Sequence, residues 1–481
     1  MNEPMYGLIV IGDDLSSYIA AAMASRNGIK TALLSENGLG NCSQIGDVAF
    51  NTDTTPPTGF GENQICLSVL NELGISPEMH LMNPAYQVIL PENRIDFFND
   101  REELLREFTR EFPDVAAGIH SFYHKAEKSS AIAENWMKEH LYIQPRSFKE
   151  YIDYLKLTPS LIKNAFNIKS MKRLASRNAA FRKVMEAQQV LLSFKTGHND
   201  SIFSNLQYCA PLRGAYHFSR GKQTLFDALI KKIESSDGLY IRNIEILSVK
   251  KGKYQEITYK DKSDNASRIE ADHLIVSTKW QNMRLLTERK KNFSFSDFIR
   301  PTQITHCPFT IHLGIRPQCL PEKMARHVAV VCDIERDIYD HNLIILESAV
   351  SENDKTGASK IPLSATVFLP ENNDLWARDR LKELADAIID RLEFFLPFLK
   401  ENIEYFDIDE SITISLKQRD VVNAKYKIRN SMMTGFAAKR NKTRYKNVYL
   451  TGASLLSDSG FEGEVMSGVN AVAQILPKRK V

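Results

Sequence analysis

The residues with the clearest chemical pattern lie near the start of the chain, in the string GDDLSS at residues 12–17. A G-x-G-x-x-G string between a strand and a helix binds the pyrophosphate of a dinucleotide. Its glycines allow a tight turn, a close approach of the backbone to the phosphates, and close packing of the helix. Here Gly12 is the first glycine, Asp14 replaces the second and Ser17 replaces the third. Asp14 adds a side chain and a negative charge where phosphates would lie, and two unit charges about 4 Å apart repel by about 4 kcal/mol at an intermediate dielectric constant.

The sequence allows two interpretations of the aspartate at position 14. In the first, the loop still binds a dinucleotide in an altered way. In the second, Asp13 or Asp14 caps the following helix and occupies, as an internal anion, the place of a phosphate, because carboxylates are favoured at helix N-termini. The acidic residue that holds a ribose hydroxyl normally ends the second strand. Ser35 lies near that place, and Glu36 follows it as a ribose ligand or as a surface charge.

The surrounding elements predict a βαβ unit. Residues 8–11 form a short apolar run, residues 15–27 are rich in alanine with Gly28 as a C-terminal cap, and residues 31–34 form a second apolar run. Such a unit is the usual start of a dinucleotide-binding domain. Further along, the pattern predicts helices near residues 101–140, 221–234, 374–395 and 463–475, strands near residues 239–242, 256–259, 271–277 and 447–450, and an antiparallel sheet over residues 300–370.

The whole chain resembles the FAD-dependent phytoene-desaturase-like oxidoreductases, relatives of the amine oxidases. The resemblance rests on the segments VIGDDLSSYIAAAMASRNGIKTALLSE, REELLREFTREFPDVAAGIHSFYHK, AYHFSRGKQTLFDALIKKI, RIEADHLIVST, ADAIIDRLEFFLPFLKENIEYFDI and NVYLTGASLLSDSGFEGEVMSGVNAVAQIL. It implies an α/β fold in which a Rossmann-like FAD/NAD(P)-binding domain carries an inserted α+β substrate (cap) domain. The implied boundaries are residues 1–75, 205–285 and 430–481 for the cofactor domain, and residues 76–204 and 286–429 for the cap domain.

The resemblance also implies which residues would face FAD. These are Gly12, Asp14, Ser17, Glu36, Gly40, Gly221, Gly452, Ser454, Gly460 and Gly463, with Ser467 in the same C-terminal segment. A helix N-terminus in that segment would suit the electron-rich end of a reduced flavin. The alternative is a loop and a C-terminal helix that only close the domain. No catalytic acid or base can be assigned, since flavin chemistry needs few titrating side chains.

Four positions depart from the pattern of the family. Besides the change at Asp14, only Gly40 remains of the glycine pair that usually follows the second strand. Arg220 precedes Gly221 in place of a double glycine, and Ser454 lies where an acidic residue is often found. Two hypotheses follow. The chain is an FAD-dependent oxidoreductase of the desaturase or saturase type that acts on an apolar or polyene-like substrate. Alternatively, it is a flavin-free pseudoenzyme that binds a hydrophobic ligand or a partner protein, or a non-catalytic subunit of an oxidoreductase complex.

Two further patterns bear on partners. Residues 156–183 contain eight Lys and Arg residues, no Asp or Glu, and interspersed apolar residues. This stretch predicts contact with an anionic membrane surface or a protein, or else a solvated basic face of a cap helix.

His306 and His312 lie six residues apart in a predicted strand, so they share one face. They either line a substrate cavity or are ordinary sheet residues.

Composition limits the remaining possibilities. The 62 Lys and Arg residues nearly balance the 59 Asp and Glu residues, so nothing indicates a nucleic-acid partner. The six cysteines lack metal-ligand spacing, which predicts no metal site and reduced thiols in the cytoplasm. The N-terminus is unlike a signal peptide, and no apolar run reaches the ~18 residues of a membrane span. We therefore expect a cytoplasmic protein that is at most peripheral to the inner face of a membrane.

Overall fold

The structure is a computed structural model of the 481-residue chain. It describes residues 5–36, 42–45, 48–139, 152, 155–156, 159, 167–197, 203–280, 283–286, 302–348, 360–372, 374–419, 422, 424–428, 441–443 and 445–476.

The strands are β1 Met5–Ile11, β2 Thr31–Ser35, β3 Cys42–Ile45, β4 Val48–Asn51, β5 Met79–Met82, β6 Tyr86–Ile89, β7 Arg94–Phe97, β8 Ala215–Lys222, β9 Leu239–Arg242, β10 Glu245–Lys251, β11 Gln255–Lys260, β12 Ala266–Ser277, β13 Thr302–Ile315, β14 His327–Val331, β15 Leu343–Ser348, β16 Ile361–Pro370, β17 Ile403–Phe406, β18 Lys425–Ile428 and β19 Val448–Thr451. The helices are α1 Leu15–Arg26, α2 Ile65–Leu73, α3 Arg101–Glu111, α4 Ala116–Glu139, α5 Ala179–Leu192, α6 Ser204–Tyr208, α7 Ala210–Arg213, α8 Gln223–Ser235, α9 Arg378–Phe395, α10 Leu399–Asn402, α11 Ile408–Gln418 and α12 Gly460–Ala473.

The first sheet has a parallel centre. Its parallel strands run in the order β9-β2-β1-β12-β19, and β10 and β11 extend it as antiparallel strands beside the first half of β12. Leu8, Ile9, Val10 and Ile11 are fully buried, as expected for a parallel strand covered on both faces. The predicted βαβ unit is thereby confirmed, with α1 ending at Arg26.

Helix α1 is buried along almost its whole length. Its alanine-rich sequence allows close approach to β1 and β2 beneath it and to α8 and α12 beside it. The predicted C-terminal helix is also confirmed, although it begins at Gly460 rather than at Gly463 and ends at Ala473. These two helices and the carboxyl ends of β1, β12 and β19 surround the predicted phosphate-binding loop.

The second sheet is mostly antiparallel. Its strand order is β17-β13-β16-β15-β14-β6-β7, and β18 also pairs with β13. Alternation along β13 gives the sheet two different faces. Phe309, Ile311 and Leu313 lie in an apolar core with residues of α9, while Thr310 and His312 form buried polar contacts on the other face. The predicted antiparallel region is thereby confirmed.

Candidate functional site

The glycine that begins the predicted phosphate-binding loop is enclosed by protein. A Cβ atom on Gly12 would lie closer than 3.0 Å to both Ser17 and Ser277. The Gly12 amide donates to the Leu34 carbonyl at 3.1 Å, which holds the loop against β2. Gly12 is therefore required by the packing of β1, α1 and β12 against one another.

Asp14 is buried beside this glycine, with 4% of its surface exposed. Its Oδ2 atom accepts hydrogen bonds from Ser16 Oγ and Ser277 Oγ, both at 2.9 Å, and its Oδ1 atom accepts from Ser17 Oγ at 2.5 Å. Asp14 is the N-cap residue of α1, but its carboxylate bonds to these hydroxyls and not to backbone amides of the helix. Three hydroxyl groups thus solvate an internal anion at the helix N-terminus.

A buried ion pair adjoins the Asp14 carboxylate. Lys279 Nζ lies 3.1 Å from Glu464 Oε1, and the backbone amide of Lys279 donates to Ser277 Oγ at 3.0 Å. Burial disfavours the charged lysine, but attraction to Glu464 and Asp14 outweighs it and raises the pKa of Lys279 above its usual value. Lys279 therefore offsets part of the negative charge of Asp14 and Glu464 inside the protein.

The predicted ribose ligand is also engaged by the protein. Glu36 Oε2 accepts from the Trp280 indole nitrogen at 2.7 Å, and Oε1 accepts from the Ile246 amide at 3.0 Å. Ser35, just before it, donates to Asp13. Glu36 thus ties β2 to β10 and to the segment after β12.

The other predicted cofactor glycines are enclosed in the same way. A Cβ atom on each would lie closer than 3.0 Å to a protein atom. Gly221 would meet the side chain of Asn51, Gly452 that of Thr278, Gly460 the backbone of Leu192, and Gly463 the backbone of Leu456. Gly40 lies outside the described residues.

The two predicted serines of the C-terminal segment bond within that segment and to the residue that follows β12. Ser454 Oγ donates to Thr278 Oγ1 at 2.6 Å. Ser467 Oγ accepts from the Gly452 amide at 2.9 Å. The polar side chains of Asp14, Glu36, Ser454 and Ser467 are therefore all bonded to protein atoms.

An FAD pyrophosphate does not fit these residues as they are arranged. The position that needs bare backbone holds the Asp14 carboxylate, and the hydroxyls that could face a phosphate already donate to it. A Cβ atom added to Gly12, Gly452 or Gly460 would collide with protein atoms, so the protein packs closely against one side of each glycine.

The sequence analysis did not predict a cluster of three charged residues, Arg213, Glu462 and Glu134, that joins three helices. Arg213 donates to Glu462 in a two-bond arrangement of 2.6 and 2.8 Å and lies 3.1 Å from Glu134. This triad joins α7, α12 and α4. The signal in the sequence was the presence of acidic residues, Glu462 among them, in a segment otherwise made of small and apolar residues.

A buried polar row crosses the face of the second sheet opposite its apolar core. Its members pair in register on four adjacent strands: His312, Ser364, Glu347 and His327. Burial lowers the pKa of His312 to about 3, so that ring is neutral near pH 7. The β3-β4 hairpin covers the row, because Ser364 Oγ donates to the Asn51 carbonyl and Asn51 Nδ2 donates to Glu347. The row therefore belongs to a closed interior and does not line an open cavity.

The basic stretch is described only in part. Residues 167–175 are helical, with Ile168, Met171 and Leu174 buried and Lys169 and Arg173 exposed. In this part, the apolar side packs into the protein's own core and the basic side faces solvent. Most of residues 156–166 lie outside the described residues.

The described residues include neither a membrane-spanning helix nor a metal-binding cluster. No helix of the described part of the chain combines the length and the apolar character of a membrane span. Among the same residues, no group of three or more His, Cys, Asp or Glu side chains could hold a metal ion.

No family model matches the chain, and no curated protein is similar enough in sequence to be matched. Solved structures with a similar fold include an oxidoreductase from Methanosarcina mazei (15% identity, 97% of this chain and 99% of that chain, TM-score 0.56). They also include putrescine oxidase bound to putrescine, at 12% identity over 98% of this chain and 99% of that chain with a TM-score of 0.60. A third is cyclohexylamine oxidase from Brevibacterium oxydans, at 13% identity over 98% of this chain and 99% of that chain with a TM-score of 0.57.

At these identities the similarity establishes the fold alone. The chain has an amine-oxidase-like α/β fold, with a Rossmann-like domain and a second α+β domain, which confirms the predicted fold class. These structures do not distinguish the predicted phytoene-desaturase type from other proteins with this fold. The domain boundaries stay a prediction.

Proposed function

We propose that this chain is a flavin-free protein with an oxidoreductase fold, which acts by binding a partner and not by hydride transfer. The observation that carries the proposal is the Asp14 carboxylate, held by three hydroxyls where a dinucleotide phosphate would lie. A phosphate about 4 Å from this carboxylate would be opposed by about 4 kcal/mol, or roughly a thousandfold in Kd.

The surroundings of Asp14 support the same proposal. Glu36 bonds to Trp280 and to the Ile246 amide, and Lys279 is paired with Glu464. Loss of one glycine is compatible with an altered cofactor site. The bonds that Asp14, Glu36, Ser454 and Ser467 make to protein atoms favour an interior that is closed without a cofactor.

The second candidate is an FAD-dependent oxidoreductase of the desaturase or saturase type with an apolar or polyene-like substrate. It is favoured by the fold similarity to named oxidases over 97–98% of the chain. The fold alone permits both candidates, since one fold supports many functions. A hydrophobic small-molecule ligand and a role as a non-catalytic subunit are both compatible with the first candidate.

The deciding measurement is the visible absorption spectrum of the purified protein, followed by titration with FAD. We expect a colourless protein that leaves added FAD unbound. A yellow protein with about one flavin per chain would overturn the proposal and favour the oxidoreductase.

The Asp14→Gly variant tests the cause, with Asp14→Asn as its matched control. Glycine removes both the charge and the bulk, whereas asparagine removes only the charge. Measurable FAD binding by the glycine variant alone would identify the side chain itself as the obstacle. Binding by both variants would identify the charge.

A further inference from the structure

The exposed side of α4 is basic. Over residues 116–138 of this helix, the exposed side chains include Lys125 and Lys128 but no Asp or Glu. The two glutamates of this part, Glu127 and Glu134, are less exposed and are paired with arginines. Neither lysine forms an ion pair with a carboxylate of the described residues. Both lysines are therefore available to an anionic partner.

A second helical segment, residues 167–175, lies against α4. A Cβ atom added to Gly118 of α4 would lie closer than 3.0 Å to the Leu174 side chain, so the two helices are in close contact there. Lys169 and Arg173 are four residues apart on the exposed side of this segment, and neither is in an ion pair with a described carboxylate. Two basic helix surfaces thus adjoin each other.

The positive charge of the chain is concentrated on these two helices. Arg177, in the turn that follows residues 167–175, is also exposed. The basic surface is defined by five residues: Lys125, Lys128, Lys169, Arg173 and Arg177. One exposed carboxylate, Asp114, lies at its edge and accepts a hydrogen bond from the Asn178 side chain at 3.1 Å. The net charge of these groups is 5 − 1 = +4, and the rest of the chain sums to 3 − 4 = −1.

The composition of the basic surface fits a layer of anionic lipid headgroups better than a protein. Protein interfaces are centred on aromatic and other apolar anchors and are poor in lysine. The exposed residues of the two helices, over residues 116–138 and 167–175, include no Phe, Tyr or Trp. Ile132 is 39% exposed and lies on the same side of α4, one turn after Lys128. Basic residues beside an exposed apolar side chain are typical of helices that rest on a membrane surface.

We propose that the basic surface binds the anionic headgroups of a membrane, with Ile132 at the boundary of the acyl chains. Each Lys or Arg near an anionic lipid surface strengthens binding about fivefold, which corresponds to about 1 kcal/mol. The contact does not involve Asp14 or the C-terminal segment, so it is independent of whether the chain binds FAD.

Cosedimentation with lipid vesicles tests the proposal. We expect the wild type to pellet with vesicles of phosphatidylcholine mixed with phosphatidylserine and to stay in solution with vesicles of phosphatidylcholine alone. Added salt should release it, because salt screens exposed charges. Lys125→Gln combined with Arg173→Gln should weaken binding about 25-fold, at about fivefold for each charge. The matched control is Lys231→Gln combined with Lys262→Gln, which removes the same charge from exposed residues of α8 and of the turn after β11 and should leave binding unchanged.

The Ile132→Ser variant separates a lipid surface from a soluble polyanion. Loss of this apolar side chain should weaken binding to the mixed vesicles about threefold and leave binding to heparin unchanged, since heparin offers charge without an apolar layer. Vesicle binding that Ile132→Ser does not weaken would assign the basic surface to a soluble polyanion and overturn the proposal. A wild type that stays in solution with the mixed vesicles, or a Lys125→Gln, Arg173→Gln variant that binds like the control, would overturn it as well.

Discussion

Lys425 shows how a single buried ionisable residue constrains this protein. Its Nζ atom donates to the Val190 and Ser193 carbonyls at 2.6 and 2.7 Å and lies 4.6 Å from the centre of the Phe368 ring. Burial lowers the pKa of Lys425 from 10.5 to about 7, despite some attraction from Asp53. The folded protein therefore favours the neutral amine.

The stability contributed at Lys425 should depend on pH. Between pH 7 and 10.5, the unfolded chain protonates this lysine and the folded chain does not. The unfolded state thus binds more protons, and the free energy of unfolding rises with pH in this window. Compared with Lys425→Met, the wild type should gain up to about 4 kcal/mol of stability from the lower to the upper end of the window.

Urea unfolding of both proteins at several pH values measures this difference. Other titrating groups are common to the two proteins, so their effects cancel. A difference between wild type and variant that stays constant across the window would show that Lys425 is protonated in the folded state.

At the scale of elements, Gly460 determines how α12 meets α5. It has a φ of +54°, and a Cβ atom there would lie closer than 3.0 Å to the backbone oxygen of Leu192 at the end of α5. The contact involves backbone, so a side-chain movement cannot relieve it. The start of α12 is therefore fixed by close packing.

Gly460→Ala should destabilise the protein by about 2–4 kcal/mol, because it combines an unfavourable φ with a steric clash. Gly74→Ala is the matched control. Gly74 has a φ of +69° but no atom within 4 Å of the added Cβ, so only the conformational cost of about 1 kcal/mol applies. Equal losses for the two variants in urea unfolding would show that α12 shifts to accommodate the methyl group.

The elements were largely predictable from local patterns. The apolar run at residues 8–11 and the alanine-rich helix after it specify the βαβ unit almost residue by residue. The role of their glycines was not predictable. Gly12 fits a phosphate-binding pattern, but the serines that fill the space beside it come from α1 and from β12, which is distant in sequence.

At the scale of the whole molecule, buried charges join segments that are far apart in the chain. Lys279 and Glu464 are separated by 185 residues, and Arg213 contacts both Glu134 and Glu462. Neither pairing follows from sequence spacing. A single sequence also does not show which of its charged residues are buried. These ion pairs could therefore not be identified before the structure.

The Arg213 triad gives the sharpest test of this long-range organisation. Burial opposes the charge of Arg213, but attraction to Glu462 and Glu134 raises its pKa and keeps it protonated. Arg213→Met leaves the buried Glu462 carboxylate and the partly buried Glu134 carboxylate without their cation and should cost about 3–5 kcal/mol in the free energy of unfolding. The exposed pair Arg380 and Glu383 provides the control, because Arg380→Met removes a surface ion pair and should cost no more than about 1 kcal/mol. Replacing Glu462 with Gln in the Arg213→Met background should recover part of the loss, since it removes one of the uncompensated charges. If Arg213→Met unfolds in urea at the same midpoint as the control, the triad does not hold α4, α7 and α12 together.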